Sequence, residues 1–195
     1  MNVSGTGIVI RDIMKDIHLQ EEIIMDFFEA IYKRASYREE FDGVDIPKED
    51  LEAIVKAGIK APSGYNHQTT SFIIVTNPEL KSQLAELVPT KAMKTAGAII
   101  IPVSSYWRAN NGLSFEIEDY AASVENIMLA IVAKGYAGVW VDGQMKLDHT
   151  GDKIAELIHL EKGFTVRAVI PVGRPVKEVP QKEKKSFEER VRFIE

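Results

Sequence analysis

The sequence predicts one domain of α/β or α+β class, with helices covering a central sheet. Three observations carry this. Helical and strand-like segments interleave along the chain. Short β-branched runs at residues 71–76 (SFIIVT) and 98–103 (AIIIPV) read as buried strands. The segment 119–134 has a broad apolar stripe at helical spacing. With 195 residues, 45% hydrophobic and 27% charged, the chain is long enough to bury one core and too apolar to be disordered.

Residues 1–24 read as an N-terminal extension, and 25–195 as the single folded domain. The first nine residues hold Gly5 and Gly7 and show no usable periodicity. Met25 precedes Asp26, Phe27 and Phe28, and admits two readings. Either translation naturally starts there, or residues 1–24 form an arm that packs on a partner subunit. From Glu21 a helix is expected, with Ile23, Phe27 and Ile31 on one side and Ile24 and Phe28 beside them. A second helix is expected from Pro47 to Lys60, started by Pro47, Glu49 and Asp50, with Leu51, Ile54, Val55 and Ile59 as its apolar stripe. Asn77-Pro78 reads as an N-cap followed by an N1 proline, with Leu80, Leu84 and Leu87 at helical spacing. Pro102 is expected to mark a strand end or a sheet-edge position.

Residues 104–116 are polar, aromatic and poor in pattern, and read as an exposed loop or lid. In the 119–134 helix, Ala121, Val124, Ile127, Met128, Ile131 and Val132 form the apolar face, with Gly135 placed to end it. Residues 137–142 and 166–172 read as further strands around a helix at 153–159. From Lys177 the tail carries six Lys/Arg against five Asp/Glu.

The exclusions are broad. With no cysteine, disulfides, iron–sulfur clusters and thiolate chemistry are ruled out. A net charge of −5 argues against affinity for nucleic acid or anionic membranes. No apolar run comes near the length of a bilayer span, the six residues at 98–103 suiting a buried strand instead, and no secretory leader pattern opens the chain, so a cytoplasmic location is expected. There is no dinucleotide-binding glycine fingerprint, phosphate-binding P-loop, nucleophile elbow or HExxH. His18, His67, His149 and His159 are scattered without metal-ligand spacing, so no metal site is expected. Side-chain acid, base or nucleophile chemistry is not advertised, which points to a cofactor as carrier of the reaction.

Three segments remain. Arg34, Ser36 and Arg38 alternate directly after the first helix, either as alternate side chains offered to one ligand or as solvated charge at a helix end. Residues 61–68 (APSGYNHQ) lie between a helix and a buried strand, suiting backbone approach to a polar ligand or a plain turn. Trp140, Val141, Asp142 and Gly143 end a buried strand, where a glycine allows unusual backbone angles and leaves an N–H available.

In combination and in order, these segments resemble the nitroreductase family. The resemblance rests on Arg34-x-Ser36-x-Arg38, on Ala61-Pro62-Ser63-x-x-Asn66-x-Gln68, and on 119–126 (DYAASVEN) with its helix, Gly135 and Asp142-Gly143. It continues through 168–175 (AVIPVGRP) and the basic tail around Lys182 to Lys185. The match runs over about residues 25–192. One departure is Thr69-Thr70 after Gln68, where many members carry Pro-Trp.

The resemblance implies an α+β fold with a central, mostly antiparallel sheet, in an intertwined homodimer with FMN at the subunit interface. It implies NADH or NADPH as reductant and nitroaromatics, quinones or similar small oxidants as acceptors, in a ping-pong cycle. It places Arg34, Lys182 and Lys184 at the FMN phosphate; Ser36, Pro62, Ser63 and Asn66 along the ribityl chain and pyrimidine edge; and Arg38 where reduced flavin gathers negative charge. Asp142 and Gly143 would offer a backbone N–H to N5. Tyr106, Trp107, Asn110 and Asn111 are candidates for substrate contact. The width of the 119–134 apolar face predicts that part of it is dimer core. Other flavin chemistry on the same scaffold (dehalogenation, flavin breakdown, enoate or peptide oxidation) and a flavin-binding protein without turnover are the alternatives. A phosphate-binding interaction domain is a third, and it would purify colourless.

Overall fold

The structure, a computed structural model, describes residues 25–195. The expected extension, and the part of the first helix expected at residues 21–24, lie outside the described residues. In chain order the elements are α1 (Phe27–Lys33), α2 (Lys48–Ile59), β1 (Thr70–Val75), α3 (Pro78–Leu87), α4 (Lys91–Thr95) and β2 (Ala98–Ser105). These are followed by α5 (Glu116–Ala133), β3 (Ala137–Gly138), α6 (Thr150–Leu157), β4 (Phe164–Val166), β5 (Ile170–Gly173) and α7 (Phe187–Arg190).

The strands form one antiparallel sheet in the order β1-β2-β5-β3, with β4 also paired to β2. Helices cover both faces, and β2 divides its side chains between the two cores. Ile99, Ile101 and Val103 pack with Leu84, Met93 and Ile154 of α3, α4 and α6. Ala98 and Ile100 pack with Ile54, Val124, Ile127 and Ile131 of α2 and α5. A strand covered on both faces must be apolar at every position, which is why residues 98–103 read as a continuous run.

Pro102 departs from its expected edge position. It is buried inside the central strand, opposite Phe72 of β1. Ser105 N–H donates to Thr69 O, so hydrogen bonds to β1 fall at odd-numbered β2 residues and the missing Pro102 N–H faces the other way. There the partner strand is broken. Ala98 pairs with Val172, but Val103 pairs with Val166, a register offset of one residue that inserts a bulge between β4 and β5. Proline sits where the bulge has already interrupted the ladder.

Local signals place the helix ends. The Asp26 carboxylate accepts from Phe28 N and Glu29 N, so among the described residues α1 starts at Phe27 and does not run back through Asp26. Asn77 caps α3 through Leu80 N, with Pro78 in its first turn. Gly135, at φ +77°, ends α5: its N–H bonds to Val132 O, and Tyr136 N–H to Ile131 O. Tyr136 then donates to Asp50 of α2 at 2.7 Å, with Lys134 Nζ 3.1 Å from the same carboxylate. This hydroxyl, with the lysine, holds Asp50 below the usual carboxylate range.

The apolar stripe of α2 differs at one position: Ile59 is exposed and Gly58 is buried in its place. A Cβ at Gly58 would lie 2.7 Å from Ile127 Cγ1 and 3.2 Å from Phe72. Gly58→Ala is therefore expected to lower stability by about 1–3 kcal/mol through overpacking between α2 and α5, as measured by denaturant melts.

Candidate functional site

The extended run 34–38 borders the sheet beyond β3. Ser36 makes a parallel bridge to Gly138, and Tyr37 N–H donates to Gly138 O. Tyr37 points into the core, so Arg34, Ser36 and Arg38 share the other side of the run. Because the pairing is parallel, Arg34 to Arg38 climbs beside β3 towards Asp142 and Gly143. The rise from Arg34 to Arg38 is about 13 Å.

Gly143 opens a 3-10 turn, Gly143–Lys146, with Asp142 as its cap. It is exposed, with nothing within 4 Å of where a Cβ would stand. It is not among the positive-φ glycines, so its use is open access to a first-turn N–H and not an unusual backbone angle. Three residues earlier in the chain, Trp140 Nε1 is buried without a hydrogen bond, and its ring lies edge-on to Tyr120 at 5.8 Å. Burial, with the nearby Asp142 carboxylate, pushes the Tyr120 hydroxyl above its usual range.

Arg34 caps the C-terminus of α1. Its Nε is buried and has no hydrogen bond; Glu125 Oε1 of α5 lies 3.5 Å away, an ion-pair distance without hydrogen-bond geometry. The residue that pins this corner is Gln181, which the sequence did not single out. Its Nε2 donates to Arg34 O at 2.7 Å and Ile31 O at 3.3 Å, bringing the start of the basic tail against the end of α1. Lys182 follows directly. Lys182 and Lys184 are both exposed.

The loop 62–68 lies elsewhere. It leads into β1, at the opposite edge of the sheet from the 34–38 run, four strand spacings or about 19 Å away. Among the described residues no hydrogen bond or ion pair joins the two segments. Three loop residues hold left-handed backbone: Tyr65 (φ 52°), Asn66 (φ 57°) and Gln68 (φ 51°). The clamp that keeps them there is Asp119, 4% exposed in the first turns of α5. Its Oδ1 accepts from Gly64 N and its Oδ2 from the Thr69 hydroxyl, each at 2.8 Å. Ser63 Oγ accepts from Gln68 N, leaving Pro62 and Asn66 exposed.

Residues 106–115 are tied to this loop by aromatic contacts. Trp107 stacks on His67 at 3.4 Å between centroids, Tyr65 meets Trp107 and Phe115 edge-on, and Asn111 donates to the Tyr65 hydroxyl. Of the four candidate substrate residues, Trp107 and Asn111 are therefore joined to the 62–68 loop. Tyr106 bonds Arg108 and is exposed, as is Asn110.

A family model described as the nitroreductase family matches residues 31–94. Two archaeal proteins, each named "Putative NADH dehydrogenase/NAD(P)H nitroreductase", align over most of both chains. The one from Methanothermobacter thermautotrophicus is 28% identical over 82% of this chain and 83% of its own. The one from Archaeoglobus fulgidus is 30% identical over 74% of this chain and 83% of its own. The chain belongs to the nitroreductase family. Solved structures agree in fold. Nitroreductase A from Vibrio parahaemolyticus superposes with a TM-score of 0.75 at 23% identity, covering 87% of this chain and 75% of its own. The NADPH:FMN oxidoreductase from Vibrio harveyi, complexed with NAD+, gives 0.73 at 23%, covering 87% and 77%. As a family member the chain is an FMN-dependent oxidoreductase that draws on NAD(P)H. The residues fit that cofactor: a guanidinium with a buried, unbonded Nε at one end of the 34–38 run, and an open first-turn N–H beyond the other.

Proposed function

We propose that the chain works as a homodimer that reduces nitroaromatics, quinones or similar small oxidants with NAD(P)H in a ping-pong cycle, in the cytoplasm. The observation that carries this reading is the parallel pairing of Ser36 with Gly138, which aligns Arg34, Ser36, Arg38 and Gly143 in one direction along β3. Arg34, Lys182 and Lys184 hold the FMN phosphate, where a planar, bidentate guanidinium suits it best. Ser36 bonds the ribityl chain, and Arg38 stabilises negative charge at the pyrimidine edge. The open Gly143 N–H, next to Asp142, would donate to N5. Bound FMN supplies the acceptor for hydride from NAD(P)H and the donor to the oxidant.

The remaining ligands, Pro62, Ser63 and Asn66, come from the second subunit in this reading. Their place at the far edge of the sheet supports it, since one chain does not bring them to its own 34–38 run. The partner's loop then brings its attached Trp107 and Asn111 as a wall for the substrate. One open pocket serves reductant and oxidant in turn, which gives ping-pong kinetics. The rate comes from positioning and fixed charge, with no proton-shuttling side chain. No helix among the described residues is long and apolar enough to cross a membrane.

The purified protein is expected to show the absorbance bands of oxidised flavin and to release about one FMN per subunit on heating, as a single-site cofactor requires. A colourless protein that takes up no added FMN would overturn the reading. Arg38→Ala is expected to leave the protein folded and FMN-loaded but to slow its reduction by NADH in stopped-flow. Unchanged reduction would remove the role given to Arg38.

A further inference from the structure

We propose that Glu125 acts as a counter-charge to Arg34 that competes with the FMN phosphate and keeps the cofactor exchangeable. This rests on the reading of Arg34 as a phosphate ligand. Glu125 projects from α5 with Oε1 3.5 Å from Arg34 Nε, and the two side chains are 48% and 23% exposed. Arg34 cannot back away as a whole, because Gln181 bonds its backbone carbonyl. Any anion that approaches this guanidinium meets a carboxylate already beside it.

Two effects of Glu125 oppose each other. Its charge neutralises part of the guanidinium and repels a phosphate, which carries nearly two negative charges at neutral pH. Against this, a carboxylate that holds Nε would orient the fork and lower the cost of ordering it. The geometry decides between them. The 3.5 Å approach lacks hydrogen-bond alignment and leaves Nε without a bond, so little orientation is gained. The charge is felt regardless of alignment, although half-exposed groups limit it to about a three- to tenfold effect. Glu125 therefore weakens FMN binding more than it helps.

The test is a titration of flavin-stripped full-length protein with FMN and with riboflavin, which lacks the phosphate. Glu125→Gln keeps the side chain's length and one acceptor oxygen, removes the charge and turns the other oxygen into an NH2 donor, whose contribution, unlike the charge's, is not screened by salt; glutamine also suits a mid-helix position. The expected result is FMN binding tightened about three- to tenfold, with slower release and unchanged riboflavin affinity. The gain should shrink in high salt as screening removes the repulsion. FMN affinity unchanged or weakened in this variant overturns the proposal. Arg34→Ala separates the two levels: if it leaves the ratio of FMN to riboflavin affinity as in the wild type, Arg34 is not the phosphate ligand and the proposal falls with that reading.

Discussion

Replacing Asp119 with alanine is expected to lower stability by about 2–4 kcal/mol and FMN affinity by at least about tenfold. The carboxylate is buried and its two oxygens each accept one hydrogen bond, from Gly64 N–H and from Thr69 Oγ–H. Alanine removes both acceptors and leaves the part-buried Gly64 N–H, with Phe115 packed against that glycine, without its protein partner. The loop between Gly64 and Thr69 holds Tyr65, Asn66 and Gln68 at positive φ, a conformation that persists only while its surroundings insist on it. Once unclamped, the loop relaxes, and Ser63 and Asn66 leave the positions proposed for flavin contact. In a chain of this size the melting temperature should fall by about 5–12 °C. Asp119→Asn supplies the control. Its carbonyl oxygen still accepts from Gly64, and the Thr69 hydroxyl can turn to accept from the amide, so most stability and FMN affinity should return. If asparagine were as damaging as alanine, the carboxylate's charge, and not its two bonds, would be what the site needs.

The features legible in the sequence were those whose causes lie within a few residues. Asn77-Pro78, the α5 stripe and Gly135 act through neighbours three to six positions away, and each appears where the local pattern puts it. Pro102 misled because its tolerance depends on register against a strand more than sixty residues later, where the β4–β5 bulge leaves no ladder bond to lose. Ile59 misled because spacing does not register that Gly58 lets α5 approach so closely that the core contact passes to the glycine.

The candidate site divides in the same way. Alternation of Arg34, Ser36 and Arg38 was readable as an extended run, and its pairing with Gly138 gives that run a direction. Gln181 and Asp119 were not readable as anchors. Their partners lie 147 and 55 residues away, and nothing near them distinguishes a clamping side chain from a solvated one. The His67–Trp107 stack is likewise a contact between two loops, invisible to periodicity. Motif order placed the flavin-site candidates in one set; the sheet places them at opposite edges, a separation that no single motif holds.

If the proposed dimer forms, removal of residues 187–195 is expected to shift it to monomer and to strip it of FMN. The tail is ordered by its own capping box, with Ser186 and Glu189 exchanging bonds across the first turn of α7, yet it presents its apolar residues to solvent. Phe187, Val191, Phe193 and Ile194 are 59%, 42%, 74% and 88% exposed. A charged tail with no partner would carry few such residues; Phe187 and Phe193 lie together, 6.2 Å between ring centroids, and clustered exposed apolar surface marks a binding face. If each arm seats these four side chains on the second subunit, their burial contributes several kcal/mol per arm at roughly 25 cal/mol per Å². Two arms per dimer make the loss larger than a modest interface tolerates, so the dissociation constant should rise by at least about a hundredfold. Sedimentation of the truncated protein checks the assembly, and its flavin absorbance checks the site. Residues 34–38 and 181–184 remain intact in this variant, so loss of FMN together with the dimer would mean that the second subunit supplies essential ligands. A truncated monomer that retained FMN would place the whole site within one chain. The 62–68 loop would then have to reach the 34–38 run across the sheet, and the interface model would be wrong.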